Sequence, residues 1–193
     1  MRNESKSVLV LDGHPSTSSL TAALAAATAD EARAAGHDVR LIHLGDLAFD
    51  PDLGEGYQGA TTPEPDLEDF IAALEACEVF ILIHPMWWGS APAKLKGLFD
   101  RALLPGRAFA YEKGKAFPKR LLTGREARVG ILSDTPAWYL RWWLGNPWPK
   151  ALRRQILEFT GMKVTRTEIL SPVRDAPPKR IDGFFDRARA LAR

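Results

Sequence analysis

The chain of 193 residues has a single cysteine, Cys77, which excludes an intramolecular disulfide and any metal or iron–sulfur site built on several thiolates. Its position, where a helical pattern feeds a strand, is that of an inert packed thiol. Its four histidines show neither H-x-H nor H-E-x-x-H spacing, so no metal site is expected. Long hydrophobic runs are missing as well. None approaches the roughly 18–20 residues that a membrane span requires, and "MRNESKS" at the start has no apolar signal core. Excess charge of one sign is also absent. The 26 Lys and Arg against 24 Asp and Glu leave a formal +2, scattered without a basic stripe, so no nucleic-acid partner is expected. A cytoplasmic protein is the simplest expectation. No G-x-G-x-x-G joins a strand to a helix (the match at 54–59 falls inside the long 45–65 connection) and no G-x-x-x-x-G-K-[ST] occurs, so neither a standard dinucleotide fingerprint nor a P-loop is expected, and no G-x-S-x-G elbow supports hydrolase chemistry.

What is present alternates. "VLVL" (8–11) reads as a buried strand, and Leu20 to Ala35 as a helix that Gly36 stops. "DVRLIHL" (38–44) is a half-buried strand, "DLEDFIAALEAC" (66–77) a helix, and "VFILI" (79–83), apolar throughout, a central parallel strand. "APAKLKGLFDRALL" (91–104) is helical, with Pro92 accepted in its first turn. "RVGILS" (128–133) is the fourth strand, "PKALRRQILEFTG" (149–161) a helix, and "KVTRTEIL" (163–170) an edge strand. Residues 178–192 form the final helix. The pattern predicts an α/β, flavodoxin-like, doubly wound five-stranded parallel sheet in the order 2-1-3-4-5, with helices on both faces. With no repeat and no low-complexity linker, residues 1–193 are expected to form a single domain.

In such a sheet, ligands bind beyond the carboxyl ends of the strands, where strand order reverses. Three loops are thereby nominated: 13–19, 84–91 and 133–139. The first, "GHPSTSSLTAAL", places His14 and four hydroxyl residues at a helix N-terminus, where unpaired amides and the helix dipole suit a phosphate. The plainer alternative is one serine cap among solvated neighbours. In the second, "HPMWWGSAPAKLKGLFDR", two adjacent tryptophans cannot both enter the core. One can wall a flat aromatic ligand, or both can serve a subunit interface. His84 either lines the site or pairs with backbone; His37 and His43 are expected at the surface or sheet edge. The segments 45–65 and 105–127 are long and irregular, as functional or subunit-contact loops often are.

Together "GHPSTSSLTAAL", "HPMWWGSAPAKLKGLFDR", "PGRAFAY" and "SDTPAWY" resemble the flavodoxin-fold NAD(P)H:quinone oxidoreductase family, which includes DT-diaphorase-like enzymes and ancillary subunits of potassium-efflux systems. The likeness spans nearly the whole chain and takes in "FDP" (49–51) and "ILEFTGMKV". It implies a flavin cofactor, FAD or FMN, with NADH or NADPH as co-substrate, a quinone-like acceptor and a homodimer. By the same resemblance His14, Ser18, Ser19, Leu20 and Thr21 take the flavin phosphate. Pro85, Met86, Trp87, Trp88 and Gly89 line the ring, and Ser133, Asp134, Thr135 and Pro136 lie under its pyrimidine side. Thr135 and Tyr139 are the catalytic candidates, as donors to the reduced ring. Two departures stand out. "DTPAW" replaces the paired glycines of the diaphorase type, and no histidine follows His84. The competing expectations are a regulatory subunit of an ion-efflux system and a flavodoxin-like electron carrier. Residues 138–148 hold four of the six tryptophans, read as a lid or dimer contact more readily than as a membrane-surface patch, with Arg141 placed for a nucleotide phosphate or simply stacked.

Overall fold

A computed structural model describes residues 4–54, 56–58 and 62–193. Residues 1–3 of the polar start, and 55 and 59–61 of the 45–65 connection, lie outside them. The elements in order are β1 (Ser7–Asp12), α1 (Leu20–Ala34), β2 (Asp38–His43), α2 (Pro65–Ala76), β3 (Val79–Pro85), α3 (Ala93–Ala102), β4 (Phe109–Ala110) and β5 (Lys119–Arg120). They continue with β6 (Glu126–Leu132), α4 (Pro147–Ala151), α5 (Glu158–Thr160), β7 (Lys163–Leu170) and α6 (Pro178–Arg189). The main sheet runs β2-β1-β3-β6-β7, all parallel, which is the expected order once the β4–β5 hairpin is counted.

Alternation along the strands divides the core. Leu9, Leu11, Phe80 and Leu82 point to the layer containing Phe70 of α2, Leu98 of α3 and Leu152. Val8, Val10, Ile81 and Ile83 point to Leu24 and Ala29 of α1 and to Phe184 and Ala188 of α6. Strand β3 is buried along its whole length, as a strand with neighbours on both sides and helices on both faces must be. Among the described residues no helix is long and apolar enough to cross a membrane.

Three local readings need correction. The 105–127 segment is not wholly irregular: Phe109 and Ala110 pair antiparallel with Arg120 and Lys119. Both strands are only two residues long, too short for alternation to register. The expected helix 149–161 starts two residues earlier and is wound as a π-helix from Leu152 to Leu157, between α4 and α5. The stretch Tyr139–Trp143 is also a π-turn, where only a loop was expected.

The "FDP" piece acts as a strut. Asp50 and Pro51 cross over α3, where a β-carbon on Gly97 would lie 2.4 Å from the Cβ of Pro51, so only glycine fits beneath them. Arg101 of α3, nearly buried, donates to the Asp50 carbonyl and pairs with Glu64 at 2.8 Å. The Asp50 amide in turn donates to Glu64 Oε1, and this bond, followed by the Arg101 pairing, holds the Glu64 carboxyl below the usual range. Cys77 is buried and its thiol is pushed up to about 11 by desolvation.

Candidate active site

The carboxyl ends of β1, β3 and β6 open onto a cleft of about 230 Å³. His14, Ser19, Leu20, Thr21, Pro85, Met86, Trp87, Ser133 and Asp134 line it, joined by Leu132 and Val173. Nine of the nominated residues therefore meet in one cavity, although they come from three loops far apart in the chain. The remaining nominees, Ser18, Trp88, Gly89, Thr135, Pro136 and Tyr139, belong to the same loops but do not line this cavity.

The first loop is built around a helix start. Ser19 caps α1, its Oγ accepting from the Ala22 amide at 3.1 Å, and no acidic residue stands in the first turn. The Leu20 and Thr21 amides find no acceptor among the described residues, which leaves two donors and the positive end of the helix dipole at the cleft. His14 Nδ1 lies 2.9 Å from the Ser16 amide and 3.0 Å from the Ser16 carbonyl; in the tautomer in which Nδ1 accepts from the amide, Nε2 carries the proton and is a second kind of donor. The ring also packs edge-on against Trp87, with centroids 5.4 Å apart, which joins the first loop to the second. Gly13 is required here: a β-carbon would lie 2.7 Å from the Cβ of His84 and 2.8 Å from Leu95.

Beneath this loop sits a pair that sequence reasoning missed. Asp12 is completely buried; its Oδ1 accepts from the His14 amide at 3.1 Å, and its Oδ2 lies 3.0 Å from His43 Nδ1. Burial raises the Asp12 pKa, and the His43 and His14 hydrogen bonds oppose that rise. The carboxylate thus ties the first loop to the end of β2, so His43, on the edge strand as expected, is also a partner of the cleft's floor. A lone acidic residue ending the apolar run "VLVLD" was the available signal.

The second loop turns sharply. Trp87 and Ser90 exchange two hydrogen bonds of 2.9 Å around Trp88 and Gly89, whose φ angles are +51° and +73°. Glycine accepts that conformation freely, but a tryptophan held there costs roughly 1–3 kcal/mol. The turn leaves Trp88 fully exposed beside the cleft while Trp87 is half-buried in its wall. Behind it His84 is wholly buried. Its Nδ1 lies 2.8 Å from the Pro85 carbonyl and its Nε2 accepts from Trp148 Nε1 at 3.4 Å, so it is a structural histidine. Desolvation lowers its pKa to about 4.

The third loop is anchored to the chain beyond β7. Ser133 Oγ accepts from the Thr135 amide at 3.0 Å, and the Ser133 carbonyl accepts from the Val173 amide at 3.0 Å. Asp134 Oδ1 accepts from the Arg174 amide at 2.8 Å. These bonds carry Val173 into the wall, a contribution with no motif of its own. Tyr139 stacks on Trp143, with centroids 6.2 Å apart, and meets Trp138 edge-on. The cleft thus brings amides, hydroxyls and an imidazole from the first loop together with the apolar side chains of Met86, Trp87, Leu132 and Val173. The amides and hydroxyls suit an anionic group and the apolar side chains a flat ring, the two kinds of contact that a flavin mononucleotide would use.

Comparisons with known proteins agree with this architecture. A stretch of 88 residues is 39% identical to the FMN-dependent NADH:quinone oxidoreductase of Yersinia enterocolitica; it covers 40% of this chain and 42% of that protein, so less than half of either is matched. The NAD(P)H:quinone oxidoreductase from Methanothermobacter marburgensis superposes with a TM-score of 0.82 at 25% identity, over 98% of each chain. The FMN-dependent NADH-azoreductase from Bacillus anthracis, solved in complex with FMN, superposes with a TM-score of 0.75 at 15% identity, over 97% of each chain, a likeness of fold. A family model described as a flavodoxin-like fold matches residues 6–191, nearly the full length, and the chain belongs to that family.

Proposed function

We propose that the protein is a flavin-dependent oxidoreductase that takes a hydride equivalent from NADH or NADPH and passes two electrons to a quinone or similar acceptor. The observation that carries this reading is the cleft at the reversal point of the sheet, which brings the helix start of α1, suited to a phosphate, together with an aromatic wall on the second loop. FMN is the preferred flavin, because the first loop offers one anion-binding helix start and the Yersinia relative is named as FMN-dependent. Flavin supplies the hydride-accepting ring; the chain supplies binding, orientation and electrostatics.

Each residue then has a task. The Leu20 and Thr21 amides, the Ser18 and Ser19 hydroxyls and His14 Nε2 hold the phosphate. Trp87 and Met86 flank the ring, and Trp88 stands at its open side as a surface for incoming planar substrates. Thr135 and Tyr139 serve as donors where negative charge develops on the reduced ring, work that well-aimed donors do at no reorganisation cost. Residues 1–193 act as one cytoplasmic flavin-binding domain. A homodimer is part of the reading: an aromatic groove of about 290 Å³, lined by Tyr57, Phe99, Phe109, Tyr111 and Phe159, suits a second copy.

The test is spectroscopic and kinetic. Purified protein should carry a flavin absorption band and release FMN on denaturation. Stopped-flow mixing with NADH or NADPH should bleach that band within seconds. Initial rates at several quinone concentrations should give parallel double-reciprocal lines, since donor and acceptor take turns at one site. A band that neither nucleotide bleaches would end the oxidoreductase reading and leave the regulatory subunit in its place.

A further inference from the structure

Apart from Thr135 and Tyr139, the segment 135–157 has no task in the reading above. From Thr135 to Leu157 the chain contains Arg141, Lys150, Arg153 and Arg154 and no acidic residue. Within it Trp138, Trp142 and Trp143 are 65%, 77% and 76% exposed, and Leu144 is 48% exposed. Three tryptophans at that exposure present roughly 400–500 Å² of aromatic surface, as much as the largest patch on an ordinary monomer.

The fold presents these side chains together. Leu140 is buried and anchors the π-turn, while its neighbours Arg141, Trp142, Trp143 and Leu144 face solvent. The Arg141 guanidinium stacks 5.1 Å above the Trp142 ring. Lys150 Nζ reaches back to Gly145, 3.9 Å from where a β-carbon would stand, so its ammonium borders the tryptophan turn. Lys150, Arg153 and Arg154 are exposed, while Trp148, Leu152 and Leu157 of the same stretch are buried. Arg153 is paired with Glu158 at 2.7 Å, so Arg141, Lys150 and Arg154 supply the patch's charge.

Two occupants compete for such a surface. In a two-fold interface each patch would meet its own copy and oppose cations to cations. An anionic bilayer offers the complement to both features: headgroup phosphates for the arginines and lysine, and an interfacial layer in which tryptophan rings are at home. We propose that the exposed side chains of 138–154, namely Trp138, Trp142, Trp143, Arg141, Lys150 and Arg154, form a peripheral docking surface for anionic lipid membranes. The surface begins four residues after Asp134 in the cleft wall, so a docked molecule would hold its site close to a lipid-dissolved acceptor. The proposal stands on surface chemistry and does not require the flavin reading.

The experiment is co-sedimentation of the full-length protein with vesicles of phosphatidylcholine alone or with about one-third phosphatidylglycerol, followed also by tryptophan emission. Binding to the anionic vesicles only, with a blue shift that salt reverses, is expected. Lys150→Gln with Arg154→Gln should weaken partitioning roughly thirtyfold, each basic side chain at the surface being worth about fivefold. Trp142→Ser should weaken partitioning and reduce the blue shift. Both variants should keep their flavin affinity and their rate with a water-soluble quinone. No binding, or equal binding to both vesicle types, overturns the proposal. So does a dimer that Trp142→Ser dissociates while vesicles bind neither protein, since the surface then belongs to a second copy.

Discussion

Acidification should act first on the buried histidine behind the cleft. His84 sits with Nδ1 on the Pro85 carbonyl and Nε2 accepting the Trp148 indole proton, an arrangement that suits only the neutral tautomer. A second proton on Nε2 would oppose N–H to N–H in a site with no water contact. Its pKa therefore falls from 6.5 to about 4, mainly by desolvation. Because protonation is easier in the unfolded chain, the stabilisation is fully present above pH 6.5 and is lost as pH falls towards 4. At about 1.36 kcal/mol per pH unit the full loss is about 3 kcal/mol, of which about 2 kcal/mol is gone by pH 5. Urea unfolding at pH 7.5, 6, 5 and 4.5 measures it, with His84→Gln as reference. Glutamine can still accept from the indole but does not titrate, so the variant should be less stable at pH 7.5 and show a flatter profile. Carboxylates held low by cation or backbone partners, such as Glu64 and Glu126, respond below pH 4.5 in both proteins and cancel in the difference. Parallel profiles for wild type and variant would refute the argument.

Four further outcomes are expected. Gly97→Ala should destabilise by about 1–3 kcal/mol in denaturant titration, because the new methyl would press on the Pro51 strut. Arg101→Met should cost about 1–3 kcal/mol, since the Asp50 carbonyl would lose a donor and the partly exposed Glu64 its ion pair; an unchanged melting temperature would show that the pair is idle. Ser18→Ala should weaken FMN binding to apoprotein ten- to a hundredfold without altering the circular dichroism, as expected for about 1.5–3 kcal/mol from a hydrogen bond to a charged group. Tyr139→Phe should lower turnover on the order of tenfold, because Thr135 shares its task. Full activity would remove Tyr139 from the donor set.

Sequence alone determined the parallel sheet, its strand order and the three loops that meet at the cleft. Apolar runs such as "VFILI" and the serine-rich helix start are local signals, and the handedness of β-α-β connections leaves few ways to assemble them. That is why nine nominated residues from three loops line one cleft. Tertiary structure decided what depends on distance between segments. His43 does end an edge strand, but its contact with Asp12 was not legible, because that partner is 31 positions away. Val173 became a wall through hydrogen bonds that no motif announces. The π-winding of Leu152–Leu157 lies within a good helical pattern, and side-chain periodicity cannot report a change in backbone hydrogen bonding. Two tryptophans were legible as unable to share the core; that Trp87 enters the wall while Trp88 stays in solvent was set by a tight turn with positive φ at Trp88 and Gly89, a backbone choice that the folded neighbours enforce.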